Sequence, residues 1–376
     1  MNVSWSRQQI ELKDRIVRSA QESLGRKLSE LDQSEKFDRE GWNTIAGMGI
    51  HGLIVPTRYG GSGADLLSTI CALEGLGYGC EDNGLIFSVN AHMWATETAL
   101  LHFGSESQRQ KYLPSLASGT WIGAHAATEP EAGSDFANIQ ATARRDGDQY
   151  RLTGTKLFVT NGPVADVLIV FAKLENKPTA FIVEKGFPGF RVERQMSKMG
   201  LRTALMGEIR LDDCPVPAAN RIGDEGSGML VFSQSMEWER AFILASAIGT
   251  MERLIERCVQ FARSRKQFGQ PIGKFQLVSS TIVDMKLRLE TSRALLYRVA
   301  ALKQQGRSLF LEASATKLYL SESWVQSCLD AMQIHGGYGY LTETGLERQL
   351  RDALASRVFS GTSEMQRVII AEMMGL

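Results

Sequence analysis

Apolar positions recur at helical spacing through roughly the first 120 residues, give way to short alternating runs, and return to helical spacing from Met229 onward. In the first stretch, residues 8–31 mix apolar and charged side chains along one helix. Residues 42–49 predict a second helix stopped by Gly49, and residues 66–76 and 94–103 predict two more. Pro56-Thr57-Arg58-Tyr59-Gly60-Gly61-Ser62-Gly63 reads as a loop.

Between Gly123 and Asp224 the apolar runs shorten to 150–152, 156–160, 166–173, 179–184, 190–193 and 207–211. Turn sequences such as Asp146-Gly147-Asp148, Asn161-Gly162-Pro163 and Gly186-Phe187-Pro188-Gly189 separate them. That spacing predicts an antiparallel sandwich or barrel. Beyond it, Leu244, Ala247, Ile248, Met251, Leu254, Ile255, Cys258 and Ala262 form one apolar stripe, and residues 285–302 and 311–333 predict two further long helices. Long helices with few prolines predict a bundle. Three domains are expected: helical over 1–121, β over 122–225, and a helical bundle over 226–376.

Composition narrows the function classes. The chain has 376 residues, too many for one core. Lys+Arg and Asp+Glu stand at 42 each, which disfavours a general nucleic-acid or anionic-membrane binder. Five scattered cysteines without a Cys-x-x-Cys pair fit a reducing compartment. The stretch Met1-Asn2-Val3-Ser4-Trp5-Ser6-Arg7 carries charge early and no apolar signal region, and no apolar run reaches membrane-spanning length. A cytoplasmic protein is expected. The five histidines lie far apart with no His-Glu-x-x-His pair, so no metal site is expected.

No glycine-rich dinucleotide fingerprint follows a strand and no P-loop occurs. Gly336-Gly337-Tyr338-Gly339 alone reads as a helix cap and turn. Three other segments offer chemistry. Ala127-Thr128-Glu129-Pro130-Glu131-Ala132-Gly133-Ser134-Asp135 presents hydroxyls and amides that could bind a polar ring edge or phosphate, or form a plain surface loop. Lys156-Leu157-Phe158-Val159-Thr160-Asn161-Gly162 is a strand running into a turn, with Phe158 and Thr160 on one face, for a flat ring or for core packing. Arg263-Ser264-Arg265-Lys266-Gln267-Phe268-Gly269-Gln270-Pro271 ends a helix in cations, suited to a diphosphate or to solvent.

In this order, and with Gly361-Thr362-Ser363-Glu364 near the C-terminus, the three segments resemble the acyl-CoA dehydrogenases over essentially the whole chain. The resemblance implies that family's fold: an N-terminal helical domain, a middle antiparallel β-barrel or sandwich domain and a C-terminal four-helix bundle. It implies FAD between the β domain and the bundle, its adenine half completed by a neighbouring subunit, hence a homo-oligomer, dimer or tetramer. By the same resemblance Thr128 and Ser134 contact flavin or pyrophosphate, Phe158 and Thr160 flank the flavin ring, and Arg265, Gln267 and Phe268 hold the diphosphate and adenosine end. Gln333, Gly337, Thr362 and Glu364 complete the nucleotide site.

The family's reaction is α,β-desaturation of an acyl thioester, an oxidation of a CH–CH bond. It needs a carboxylate for the α-proton and donors for the thioester oxygen. Phe359-Ser360-Gly361-Thr362-Ser363-Glu364-Met365-Gln366 resembles the segment that usually supplies that base as Tyr-Glu-Gly-Thr-Ser-Glu-Ile-Gln, but Ser360 stands at the Glu position. Some members place the base before an Arg in the first bundle helix, which Glu239-Arg240 matches. Ser235, Met236, Phe242 and Ile243 share its helix face, an apolar setting that raises a carboxyl pKa. Glu239 is therefore the expected base, with a structural ion pair as its alternative role, and Ser360→Ala is expected to matter little. Ser134, Arg240 and Ser360 are expected on the substrate side. Glu237, on another helix face, is carried both as a substrate-side candidate and as the control carboxylate.

Ser235-Met236-Glu237-Trp238-Glu239-Arg240 and Asn161-Gly162-Pro163-Val164-Ala165-Asp166 are similar to members that oxidise L-prolyl groups on peptidyl carrier proteins to pyrrolyl thioesters in secondary metabolism. Residues 199–208 read more like the general acyl pattern, so prolyl and aliphatic acyl groups on a carrier protein are both expected substrates. Other readings are a short- or branched-chain acyl-CoA dehydrogenase, a flavin oxidase or monooxygenase on this scaffold, and a flavin-binding member without desaturation chemistry. Electron-transfer flavoprotein or O2 is the expected acceptor.

Overall fold

The computed structural model describes residues 5–376, so Met1 to Ser4 of the N-terminal stretch lie outside it. The helical N-terminal part contains α1 (Arg7–Ser23), α2 (Leu28–Ser34), α3 (Arg39–Gly47), α4 (Leu66–Gly79), α5 (Asn83–Ala91), α6 (Thr98–Phe103) and α7 (Glu106–Ala117). The single helix expected over 8–31 is two, because Gly25 takes φ +77° just after α1. A π-helical turn, His92–Glu97, joins α5 to α6. Among the described residues no helix is long and apolar enough to cross a membrane.

The middle part is one sheet of eight strands: β1 (Gly123–Ala126), β2 (Thr142–Asp146), β3 (Gln149–Thr160), β4 (Val167–Leu174), β5 (Lys177–Glu184), β6 (Phe190–Gln195), β7 (Met206–Pro217) and β8 (Arg221–Ile222). Their order is β6-β7-β3-β2-β4-β5-β8, with β1 also paired to β4. The sheet is mixed rather than purely antiparallel, since β1 and β2 both run parallel to β4. β4 is a continuous apolar run because both of its faces are covered. Val167, Ile169 and Phe171 join a core with Leu100, Tyr112, Leu116 and Val231, while Leu168, Val170 and Ala172 join Leu152, Ile209 and Leu211.

The C-terminal part contains α8 (Gly228–Phe242), α9 (Ala245–Ser264), a β9–β10 hairpin (Lys266–Gln267 and Gln270–Pro271), α10 (Gln276–Gln304), α11 (Phe310–His335), α12 (Leu346–Ala355) and α13 (Ser363–Met373). Its core is continuous with that of the N-terminal helices. Glycine permits this where α4 crosses α9: a Cβ on Gly77 would lie 1.8 Å from the Ser246 carbonyl oxygen, and one on Gly249 would lie 1.9 Å from that of Glu74.

A buried ion cluster locks the same junction. Glu74, fully buried on α4, accepts from Lys13 of α1 at 2.8 Å and from Arg293 Nη2 of α10 at 3.0 Å, and Tyr297 donates to its other oxygen at 3.1 Å. Removing one member of such a cluster strands buried charge. Glu74→Ala is expected to lower unfolding stability by about 3–5 kcal/mol, whereas Arg7→Ala, breaking the exposed Arg7–Glu11 pair, changes it by less than about 0.5 kcal/mol. Denaturant midpoints measured on both variants check this.

Candidate active site

α8 carries Glu239 to the base of the turn that precedes α13. There its Oε1 accepts a hydrogen bond from Ser360 Oγ at 2.5 Å. Burial raises the Glu239 pKa, while the Ser360 hydrogen bond and the charges of Arg240 and Lys317 pull it back down. The apolar setting read from the helix face is thus incomplete. Arg240, next to Glu239 on α8, adds one cation, and the Ser360 hydroxyl and the Lys317 ammonium arrive from distant sequence. The expectation that Ser360→Ala matters little now meets a direct contact: the Ser360 hydroxyl donates to Glu239 and favours its ionised form.

Ser360 sits at φ +56° and Gly361 at φ +88°. A left-handed serine costs about 1–2 kcal/mol and persists only where its surroundings hold it. Three side chains hold this turn. Arg240 Nε donates to the Ser360 carbonyl at 3.3 Å, Gln366 Nε2 donates to Ser360 and Gly361 carbonyls at 3.1 and 2.9 Å, and Lys317 Nζ donates to Gly361 at 2.7 Å. Thr362 caps α13 by accepting from the Met365 amide at 3.2 Å, and Glu364 lies exposed in the first turn of that helix. The Phe359 ring packs against Phe87 with centroids 4.5 Å apart and planes tilted by 33°, and beside it a cavity of about 20 Å³ is walled by Phe87, Ile243, Leu244 and Trp324.

Glu237 is corrected as a substrate-side candidate. It is 3% exposed, pairs with Lys303 of α10 and accepts from the Leu309 amide at 2.9 Å. A carboxylate so committed cannot meet a ligand. Its role is to tie α8 to the α10–α11 connection.

A second group lies on the β part. Phe158 stands in a β-bulge at φ +55° and is 54% exposed, Val159 turns into the core, and half-buried Thr160 shares the outer face. The Thr128 carbonyl accepts from the Leu157 amide at 2.9 Å, which holds the half-buried Thr128 beside that strand, and Ser134 is exposed farther along the same loop. Beneath this loop is an ion pair that composition does not reveal: Lys156, fully buried, meets Glu129 at 2.6 Å. Glu129 also accepts from the Ala141 amide at 3.0 Å. Burial pulls the Lys156 pKa down to about 8, with Glu129 opposing. The parity of β3, which turns Lys156 inward, was the available signal.

A third group lies at the bundle tip. Arg265, Gln267 and Gly337 line one cleft of about 600 Å³ with Phe261, His335 and Tyr338. Phe268 beside it is 93% exposed, and Gln333 is exposed at the end of α11. Among the described residues Arg265 forms no salt bridge with a carboxylate, and its guanidinium lies 5.9 Å from the centre of the Tyr338 ring. His335 hydrogen-bonds the Ala331 carbonyl through Nδ1 at 2.8 Å and stacks on Phe261. No hydrogen bond among the described residues joins this group to the β-part group. No cluster of three or more His, Cys, Asp or Glu is placed to hold a metal among the described residues.

A helical–β–helical chain with a carboxylate buried against the last turn defines a class that the family comparison identifies. The chain belongs to the acyl-CoA dehydrogenase family: the family's N-terminal domain matches residues 6–120, its middle domain 124–214 and its C-terminal domain 226–375. Among its relatives, an L-prolyl-[peptidyl-carrier protein] dehydrogenase of Pseudomonas fluorescens is 42% identical over 90% of this chain and 91% of the relative. Among solved structures, the prolyl acyl carrier protein oxidase AnaB is 54% identical, covers 99% of this chain and 100% of its own, and superposes with a TM-score of 0.98. PigA with FAD and proline is 40% identical over the full length of both chains, with a TM-score of 0.96.

Because Glu237 serves packing, Glu237→Gln is expected to cost about 1–3 kcal/mol of stability by weakening its bonds to Lys303 and Leu309. At temperatures where the variant stays folded, its turnover should stay within a few-fold of wild type. Thermal unfolding and assay of one preparation check both.

Proposed function

We propose that this protein is an FAD-dependent dehydrogenase of a prolyl group carried as a thioester on a peptidyl carrier protein, with Glu239 as the α-proton base. The observation that carries the reading is the 2.5 Å contact between Glu239 and Ser360. It brings a carboxylate from α8 against Ser360, the residue that stands where the family's C-terminal segment usually carries Glu, which supports the reading of Glu239 as base. The similarity to prolyl-acting relatives over nearly the whole chain supports the substrate class.

The residues present fit FAD. Phe158 offers an exposed aromatic face and Thr160 a neighbouring hydroxyl, while Thr128 and Ser134 lie on the loop beside them. Arg265 is a cation without a carboxylate, in a cleft with Gln267 and Gly337, where a Cβ on Gly337 would meet nothing within 4 Å. That room and charge suit a diphosphate. Phe268 is proposed to hold the adenosine end with Arg265 and Gln267, and Gln333, Gly337, Thr362 and Glu364 to complete the nucleotide site, partly across a subunit boundary. Exposed Leu277, Val283 and Leu287 along α10 support a homo-oligomer that covers them. Bound FAD supplies the hydride acceptor.

The chain's own work is with the proton. Glu239, kept partly out of water, takes the α-proton when ionised. Ser360 holds one carboxylate oxygen so that the other faces the thioester, and Arg240 holds the turn that carries Ser360. The acceptor of the electrons is proposed to be O2 or electron-transfer flavoprotein, and peroxide yield in turnover distinguishes them. The general acyl pattern at residues 199–208 favours a second reading, an aliphatic acyl thioester on CoA or a carrier protein. Anaerobic mixing with prolyl carrier protein is expected to bleach the flavin, whereas butyryl-CoA leaves it yellow. The reverse result selects the second reading.

Glu239→Gln is expected to lower turnover by about 10²–10⁴-fold with flavin still bound, measured in steady state. Near-normal turnover overturns the assignment. The base works ionised and burial raises its pKa, so activity rises with pH through an acid limb above the ordinary carboxylate range. Ser360→Ala removes the donor that favours the ionised form, so the limb moves to higher pH. A limb that stays in place contradicts this role.

A further inference from the structure

Lys317 is a buried cation on α11, 1% exposed, yet it forms no ion pair within 4.0 Å among the described residues. Its ammonium donates to one acceptor, the Gly361 carbonyl, at 2.7 Å. Burying an ammonium on a single neutral oxygen is unfavourable. Desolvation, followed by the Arg240 charge, pulls its pKa down to about 7, against Glu239, Glu322 and Glu364. A solvated helix face would have carried no such cost.

α11 grips the turn at three levels. Ser321 Oγ donates to the Ser356 carbonyl at 3.1 Å, Glu322 accepts from Arg357 at 2.5 Å and from Ser363 at 2.7 Å, and Lys317 takes Gly361. Only the Lys317 contact falls on the left-handed pair itself. Its Nζ also lies 5.7 Å from the Phe359 ring. The charged groups facing it are Glu239 and Arg240 from α8, Glu322 on its own helix and Glu364 from α13.

We propose that Lys317 is a positioning residue for the Glu239 base: it pins the Gly361 carbonyl, fixes the left-handed Ser360–Gly361 turn, and so keeps the Ser360 hydroxyl on the carboxylate. The inference rests on the reading of Glu239 as base. Its second contribution is electrostatic. In the acid range Lys317 is charged and favours ionised Glu239. Above neutrality it loses charge but keeps N–H groups for Gly361, so the turn stays pinned.

The test compares Lys317→Met, Lys317→Arg and Glu239→Gln with wild type, each loaded with FAD. Two readouts are used: the pH dependence of anaerobic flavin reduction by prolyl carrier protein, and pH-difference infrared spectroscopy of the Glu239 carboxyl, its band identified by loss in Glu239→Gln. Lys317→Met is expected to slow reduction on the order of ten- to a hundred-fold, as misplaced catalytic groups do, and to move both the acid limb and the carboxyl titration to higher pH. Lys317→Arg, which keeps charge and donor, restores most of both. If Lys317→Met does not fold, Lys317→Gln, with a donor but no charge, is read for the same upward shift. A carboxyl titration unmoved in the charge-free variants overturns the proposal, because loss of packing alone would leave it in place. Rapid reduction by Glu239→Gln instead overturns the underlying reading, and the infrared arm still reports on Lys317.

Discussion

One short hydrogen bond, from Ser360 to Glu239, spans 121 residues of sequence, and the chemistry proposed for this fold depends on it. A carboxylate at this depth pays a desolvation penalty that would keep it protonated and useless as a base. The hydroxyl on one oxygen and two cations nearby reduce that penalty without forming a tight ion pair, which would make the carboxylate too weak a base. The balance puts its pKa above the ordinary carboxylate value, closer to working pH, where proton transfer is efficient.

Holding that bond requires rigidity from three helices. α8 supplies Glu239 and Arg240, α11 supplies Lys317, and α13 supplies Gln366, all converging on two carbonyls in a left-handed turn. Strain in such a turn persists only under this much constraint. The bundle is braced in turn by the α4–α9 crossing at Gly77 and Gly249 and by the buried Glu74 cluster, so packing far from the site bears on its geometry.

Much of this was legible in the chain. Helical periodicity marked both helical parts and turn residues marked the β part, because each pattern is set by local backbone geometry. The serine at position 360 is what singles out Glu239 as the candidate base in the sequence. Other features depend on distant partners that periodicity does not encode. β1 and β2 are short and run parallel to β4, and alternation is blind to strand direction. Lys317 reads as an ordinary charged position on a long helix, and only the fold turns it inward onto Gly361. Glu237 and Glu239 were separable by helix face, but not the partner of either: Lys303 for one, Ser360 for the other.

The most direct measurement is anaerobic flavin reduction by prolyl carrier protein in Glu239→Gln and in the double variant Glu239→Gln/Ser360→Glu. The single variant is expected to stay yellow and the double variant to regain part of the wild-type rate, because a carboxylate returned from position 360 reaches the same space. Rapid bleaching by the single variant would show that Glu239 is not the base.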